Sequence, residues 1–142
     1  MADAYDLDRF VQAQEPVMAQ VLAEMAAGRK RTHWMWFVFP QLAGLGHSAM
    51  ARRYALGSLD EARAYLAHPV LGLRLVQCPG LVNGVEGRTI NAIFGSPDDL
   101  KFHSCVTLFA LVAPNEQVFG KALAKYFGGV LDLLTIQTIA DR

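Results

Sequence analysis

The chain has 142 residues, 53% hydrophobic and 18% charged, with thirteen Lys and Arg balanced by thirteen Asp and Glu. That length fits one domain over 1–142 that buries roughly 70% of its unfolded surface, and so low a charge density argues against disorder. A formal net charge of zero removes the electrostatic footprint that a nucleic-acid duplex or an anionic membrane surface requires.

The six prolines divide the chain into lengths that suit short helices. Asp6 is a candidate cap for a helix running to about Gln14, and Pro16 suits the first turn of a second that Gly28 closes in the left-handed conformation. The basic run Arg29-Lys30-Arg31 then reads as a solvated turn beside the negative end of that helix. Ser48 and Ser58 are candidate caps for helices at 49–56 and 59–67, and His68-Pro69 forces a boundary with His68 near a helix C-terminus. Beyond it the apolar pattern predicts helix at 70–77, a break at Pro79-Gly80 and helix again at 80–85.

A loop through Asn83-Gly84 and Glu86-Gly87 leads to a short turn at Thr89–Phe94. The strongest start signal follows, with Ser96 as cap, Pro97 at the first helical position and Asp98-Asp99 in the first turn. From there to Ala113, Phe102, Cys105, Val106, Phe109 and Val112 share one face, and Leu100, Leu108 and Leu111 widen the stripe. Pro114-Asn115 opens another helix that Gly128-Gly129 ends, and Asp132 starts a short terminal one. No strand alternation competes, so the expected fold is all-α: a compact bundle of seven to nine short helices around a buried central helix that begins near Pro97.

Glycine, proline or a charge interrupts every apolar run short of the eighteen or so residues needed to cross a bilayer. Cys78 and Cys105 lack CxxC spacing and no signal peptide precedes them, which predicts reduced thiols and a cytoplasmic protein. His33, His47, His68 and His103 are too dispersed for a metal-ligand pattern, and neither metal nor cofactor is expected.

The run Gly28-x-Lys30-x-Thr32-His33-Trp34-Met35-Trp36-Phe37-Val38-Phe39-Pro40-Gln41-x-x-Gly44-Leu45-Gly46 resembles the bacterial family known as domain of unknown function 1810. The likeness continues through Tyr54, Glu61-Ala62-x-x-Tyr65-Leu66-x-His68-Pro69, Leu71-Gly72-x-Arg74-Leu75, Phe94-Gly95-x-x-Asp98-x-x-Lys101 and Ser104-x-x-Thr107-Leu108-Phe109. The resemblance implies a mainly helical single domain and no established activity, cofactor or catalytic residue. Members sometimes carry the label calpastatin, but calpastatin inhibitory segments are disordered and polar, unlike a chain this rich in Trp, Phe, Leu and Val.

Two groups of residues are candidates for chemistry. Asp98, Lys101 and Ser104 stand three apart on the first turns of the central helix, where a lysine is unfavourable unless Asp98, Asp99 or a bound anion compensates it. The plain alternative is a helix cap with an Asp98–Lys101 surface pair. His33 and Gln41 bracket Trp34 and Trp36, which suits proton transfer or the orientation of a flat ligand; alternatively the aromatics are core and the two polar residues cap backbone groups. Arg74, set among leucines, either reaches water or pairs with an acid such as Asp98.

No GxSxG or reactive-cysteine pattern supports a nucleophile, and Cys105 lies among apolar residues. The leading expectation is a small-ligand protein or enzyme whose polar and aromatic cleft takes an anionic, nucleotide-like ligand. Its candidate binding residues are His33, Trp34, Trp36, Gln41, Arg74, Asp98, Lys101 and Ser104, with His33, Asp98 and Lys101 as candidates for catalysis. The alternative is a protein–protein interaction module that presents Trp34 and Trp36 and catalyses nothing.

Overall fold

A computed structural model describes residues 3–141. The described residues form ten helices and no strand: α1 (Asp8–Gln14), α2 (Met18–Ala27), α3 (Met35–Val38), α4 (Ala49–Arg53), α5 (Leu59–Ala67), α6 (Leu71–Asn83), α7 (Ile90–Phe94), α8 (Asp98–Val112), α9 (Gln117–Phe127) and α10 (Leu133–Ala140). The all-α bundle expected from the sequence is present. The helix count rises because the tryptophan segment closes into the single turn α3, and the stretch from Thr89 closes into α7.

Several caps behave as their residue types dictate. Ser48, Ser58, Thr89 and Asp132 each accept the backbone N–H three residues on, which satisfies one orphan donor of α4, α5, α7 and α10. Gly28 ends α2 at φ +74°, and a Cβ there would sit 2.9 Å from Val85 Cγ1. Elsewhere the structure departs from the sequence reading. Asp3, not Asp6, accepts the Leu7 and Asp8 N–H groups before α1, both at 2.8 Å. Pro16 lies outside α2, which starts at Met18. His68 ends α5 as expected, its N–H donating to Tyr65 O at 3.2 Å, and its side chain also serves the start of α6: Nδ1 accepts from Val70 and Leu71 N–H at 3.1 and 3.2 Å.

The predicted break at Pro79-Gly80 does not occur, and α6 runs unbroken across it. Proline in a helix interior costs about 3 kcal/mol through its missing N–H and its clash with the preceding turn. Here Leu71, Leu75, Cys78, Pro79 and Val82 are all buried against neighbouring helices, and that packing outweighs the local cost. Gly72 lets α5 and α6 meet closely, since a Cβ there would fall 2.0 Å from the Leu66 carbonyl oxygen.

Helix α8 is the centre, packed against α5, α7, α9 and α10. Phe102 and the continuous run Ser104 to Phe109 are buried. Leu100 and Leu111, expected to widen the core stripe, are instead 61% and 45% exposed. Pro97 occupies the cap position of α8 and Ser96 makes no cap; the Asp99 N–H bonds to Gly95 O at 2.9 Å instead. Aromatic rings link the layers, with Phe109 centred 5.6 Å from Phe119 and 6.0 Å from Tyr65. One isolated parallel bridge, Leu42 with Leu56, ties the segment after α3 to the segment before α5 through Leu56 N–H to Gln41 O at 2.9 Å. That bridge fixes where Gln41 stands.

Phe109 has no exposed surface, so Phe109→Ala should lower stability by about 3–5 kcal/mol. Urea denaturation followed by circular dichroism measures it, and a loss under about 1 kcal/mol would remove Phe109 from the core. Cys78 and Cys105 are free and buried, and burial pushes the Cys78 thiol up to about 12 and the Cys105 thiol well above its ordinary value. Native protein should therefore react negligibly with a thiol reagent at pH 8, and two thiols should appear on unfolding without reductant.

Candidate ligand cleft

The tryptophan segment is held by a carboxylate that the sequence reading did not single out. Glu24, 3% exposed, lies on the same side of α2 as the buried Val21 and Met25. It accepts Arg31 N–H at 2.7 Å, Thr32 N–H at 3.1 Å, the Thr32 hydroxyl at 2.7 Å, Trp34 Nε1–H at 3.0 Å and Gln20 Nε2–H at 2.7 Å. Burial by itself would raise its pKa, but the bonds from Arg31, Thr32 and Gln20 overcome burial and bring it down to about 2. Trp34 is consequently fully buried, its indole tied inward and packed on Phe39. It is core and lines no cleft.

Lys30 also departs from the solvated turn expected of its basic run. Its side chain is only 6% exposed, and Nζ donates to Thr32 O at 2.6 Å, sits 4.9 Å from the Trp34 ring and pairs with Asp98 at 2.9 Å. Asp98 is the acid shared by two lysines, with Lys101 Nζ at 3.8 Å. Lys101 in turn lies over the half-buried Trp36 ring at 5.4 Å. The first turn of α8 is thus bound to the tryptophan segment by charge, through the Lys30–Asp98 pair.

Beside this chain of contacts opens a cavity of about 280 Å³ lined by Gln41, Leu45, Gly46, Pro97, Leu100, Lys101, Ser104, Asp132 and Leu134. Three of the sequence candidates, Gln41, Lys101 and Ser104, meet here. Trp36 and Asp98 stand behind Lys101 and do not line the cavity. His33 is exposed and does not line it either. Arg74 is elsewhere: it pairs with Glu15 at 2.7 Å and reaches Gln14 Oε1 at 3.2 Å, so the suggested Arg74–Asp98 pair does not form.

Asp132 completes the cleft and was read from sequence only as a helix start. Its Oδ2 accepts the Ser104 hydroxyl at 3.0 Å and Thr135 N–H at 3.1 Å, while its own N–H donates to Thr107 Oγ1 at 2.9 Å. His103 helps to place it. The ring stacks on Phe127 at 3.9 Å, and Nε2–H donates to Val130 O at 2.8 Å, which draws the turn after Gly128-Gly129 onto α8. The apolar lining could not be read from periodicity, because Leu100 and Leu134 look like ordinary core leucines in sequence yet are 61% and 63% exposed. Among the described residues, no group of three or more His, Cys, Asp or Glu is arranged to hold a metal ion.

The family model described as protein of unknown function (DUF1810) matches residues 4–139. The crystal structure of the conserved hypothetical protein Rv1873 from Mycobacterium tuberculosis is similar at 57% identity and a TM-score of 0.96, over 97% of this chain and 99% of that one. No curated protein matches the chain.

Because Glu24 joins five donors from three segments, Glu24→Ala should cost about 3–5 kcal/mol, the range for breaking a buried charged network. Its folded pKa of about 2 lies below the ordinary 4.5, so the carboxylate's contribution is complete above about pH 4.5 and is lost as pH falls toward 2. Urea titrations between pH 6 and 2 should show a shallower pH dependence in Glu24→Gln than in wild type. Identical slopes would exclude Glu24 as a source of the acid sensitivity.

Proposed function

We propose, for a chain that belongs to the DUF1810 family of proteins of unknown function, that the cavity between α8, α10 and the Gln41–Gly46 segment binds a small ligand with an anionic group and an apolar body. The observation that carries this reading is the meeting of Gln41, Lys101, Ser104 and Asp132, from three distant stretches of chain, on one cavity with leucine walls. A volume of about 280 Å³ lies just below the range typical of drug-sized ligands and suits a small metabolite. Lys101 is the anion's partner, because its pair with Asp98 is long at 3.8 Å while Lys30 holds Asp98 at 2.9 Å. The nucleotide-like ligand expected at first is less well supported. Trp34 is buried and a lysine lies over the Trp36 ring, so the cavity has no aromatic platform for a base.

The proposal is one of binding, and it takes the cytoplasm as the setting on the strength of the two free thiols. Among the described residues, no helix is long and apolar enough to cross a membrane. A protein-interaction role is the second reading, favoured by the exposure of Leu133 and Leu134 on α10 instead of by the tryptophans.

A thermal-shift panel of small aliphatic and aromatic carboxylates and phosphates tests the first reading. At least one compound should raise the melting temperature, and Lys101→Ala should weaken its binding by about 1.5–3 kcal/mol, roughly 10- to 150-fold, with little change in the stability of the free protein. Binding that is unaltered in Lys101→Ala, or no shift across the panel, would end this reading.

A further inference from the structure

We infer that the ligand of this cavity is zwitterionic: a free amino acid with an apolar side chain, its carboxylate on Lys101 and its ammonium on Asp132. The inference rests on the reading of the cavity as a ligand site and narrows the class of ligand. Two opposite charges line the same small space, and neither is well neutralised from within the protein. Lys101 is left with a long contact to an acid that another lysine already holds. Asp132 is the more telling of the two. It has no ion pair among the described residues, and every donor that reaches its carboxylate is a neutral group on one oxygen: the Ser104 hydroxyl, Thr135 N–H and the Thr135 hydroxyl, all on Oδ2. Oδ1 receives no hydrogen bond from the described residues, and a carboxylate lining a leucine-walled cavity gains most from a cation.

A purely anionic ligand would neutralise Lys101 and bring a second negative charge to Asp132. A cation would do the reverse. A ligand that carries both charges on groups attached to one carbon answers both walls at once, which is the arrangement of an α-amino acid. Gln41 adds a side-chain amide able to donate to the carboxylate or accept from the ammonium. Leu45, Pro97, Leu100 and Leu134 then face the remainder of the ligand, so its side chain is apolar. Leu100 and Leu134 are exposed, and an apolar ligand side chain would cover them.

The test needs only the wild-type chain and four compounds: L-leucine, L-phenylalanine, 4-methylpentanoate, which is leucine without its amine, and 3-methylbutylamine, which is leucine without its carboxylate. Isothermal titration should give at least one of the two amino acids an affinity tenfold or more above that of both single-charge compounds. If 4-methylpentanoate binds as tightly as leucine and phenylalanine, the zwitterion inference fails while the anion-binding reading stands. If the amine binds as tightly as either amino acid, the inference likewise fails. If none of the four binds, and the carboxylates and phosphates of the wider panel give no shift, both readings fall together. Asp132→Asn keeps a hydrogen-bond acceptor for Ser104 and Thr135 but removes the charge, so it should erase the tenfold advantage of the amino acids over 4-methylpentanoate; an advantage that survives the substitution would overturn the assignment of the ammonium to Asp132. Should that variant not fold, the comparison of compounds on the wild-type chain decides the matter alone.

Discussion

One buried carboxylate sets the geometry on which the rest depends. Glu24 projects from the last turns of α2 toward residues 31–34 and gathers donors from a backbone turn, a hydroxyl, an indole and an amide. A charge with so little exposure is tolerable only when its lone pairs are filled, and here they are filled by groups that would otherwise be orphaned beside the core. The consequence is positional. With the Trp34 indole pinned, α3 enters the bundle at a fixed angle, Phe37 and Phe39 join the aromatic core, and Pro40 and Gln41 leave it toward α8.

A second electrostatic chain carries that positioning across to the central helix. Lys30, held by the Thr32 carbonyl and the Trp34 face, binds Asp98 in the first turn of α8, where a carboxylate also complements the helix dipole. Asp98 and Trp36 then restrain Lys101 from two sides, so the ammonium is presented at the cavity with less freedom than a surface lysine has. Glu24 and Asp98 each have a structural task, whereas Lys101 and Asp132 face the cavity. One cation and one carboxylate on leucine walls give the cleft its chemical character.

The central helix serves both regions because its two ends differ. From Phe102 to Phe109 nearly every residue is enclosed, whereas Leu100 and Lys101 in its first turn face the cleft. On the opposite wall, α10 contributes Leu134 and buries only Thr135 among its own residues. Its attachment is largely polar: Asp132 bonds to Ser104 and Thr107 on α8, and His103 holds the Val130 carbonyl. A helix fastened at its N-terminal end, with leucines left outside, makes a wall whose apolar surface is available to a ligand.

Much of the fold was legible in the sequence because its signals are local. The serine caps of α4 and α5, the left-handed glycine after α2 and the apolar density of α8 depend on a few neighbouring residues and need no knowledge of partners. The helical class was within reach of that reading. Tertiary structure alone decided which charges face which. Glu24 pairs with residues up to ten positions away, Arg74 with Glu15 across 59 positions, and Ser104 with Asp132 across 28. No periodicity encodes such partners, and the same holds for Pro79, whose helix survives because distant packing repays a local penalty. Trp34 shows the physical reason most plainly: an aromatic ring between polar residues has the same sequence whether it walls a cleft or fills a core, and only the carboxylate waiting at its indole nitrogen made it core.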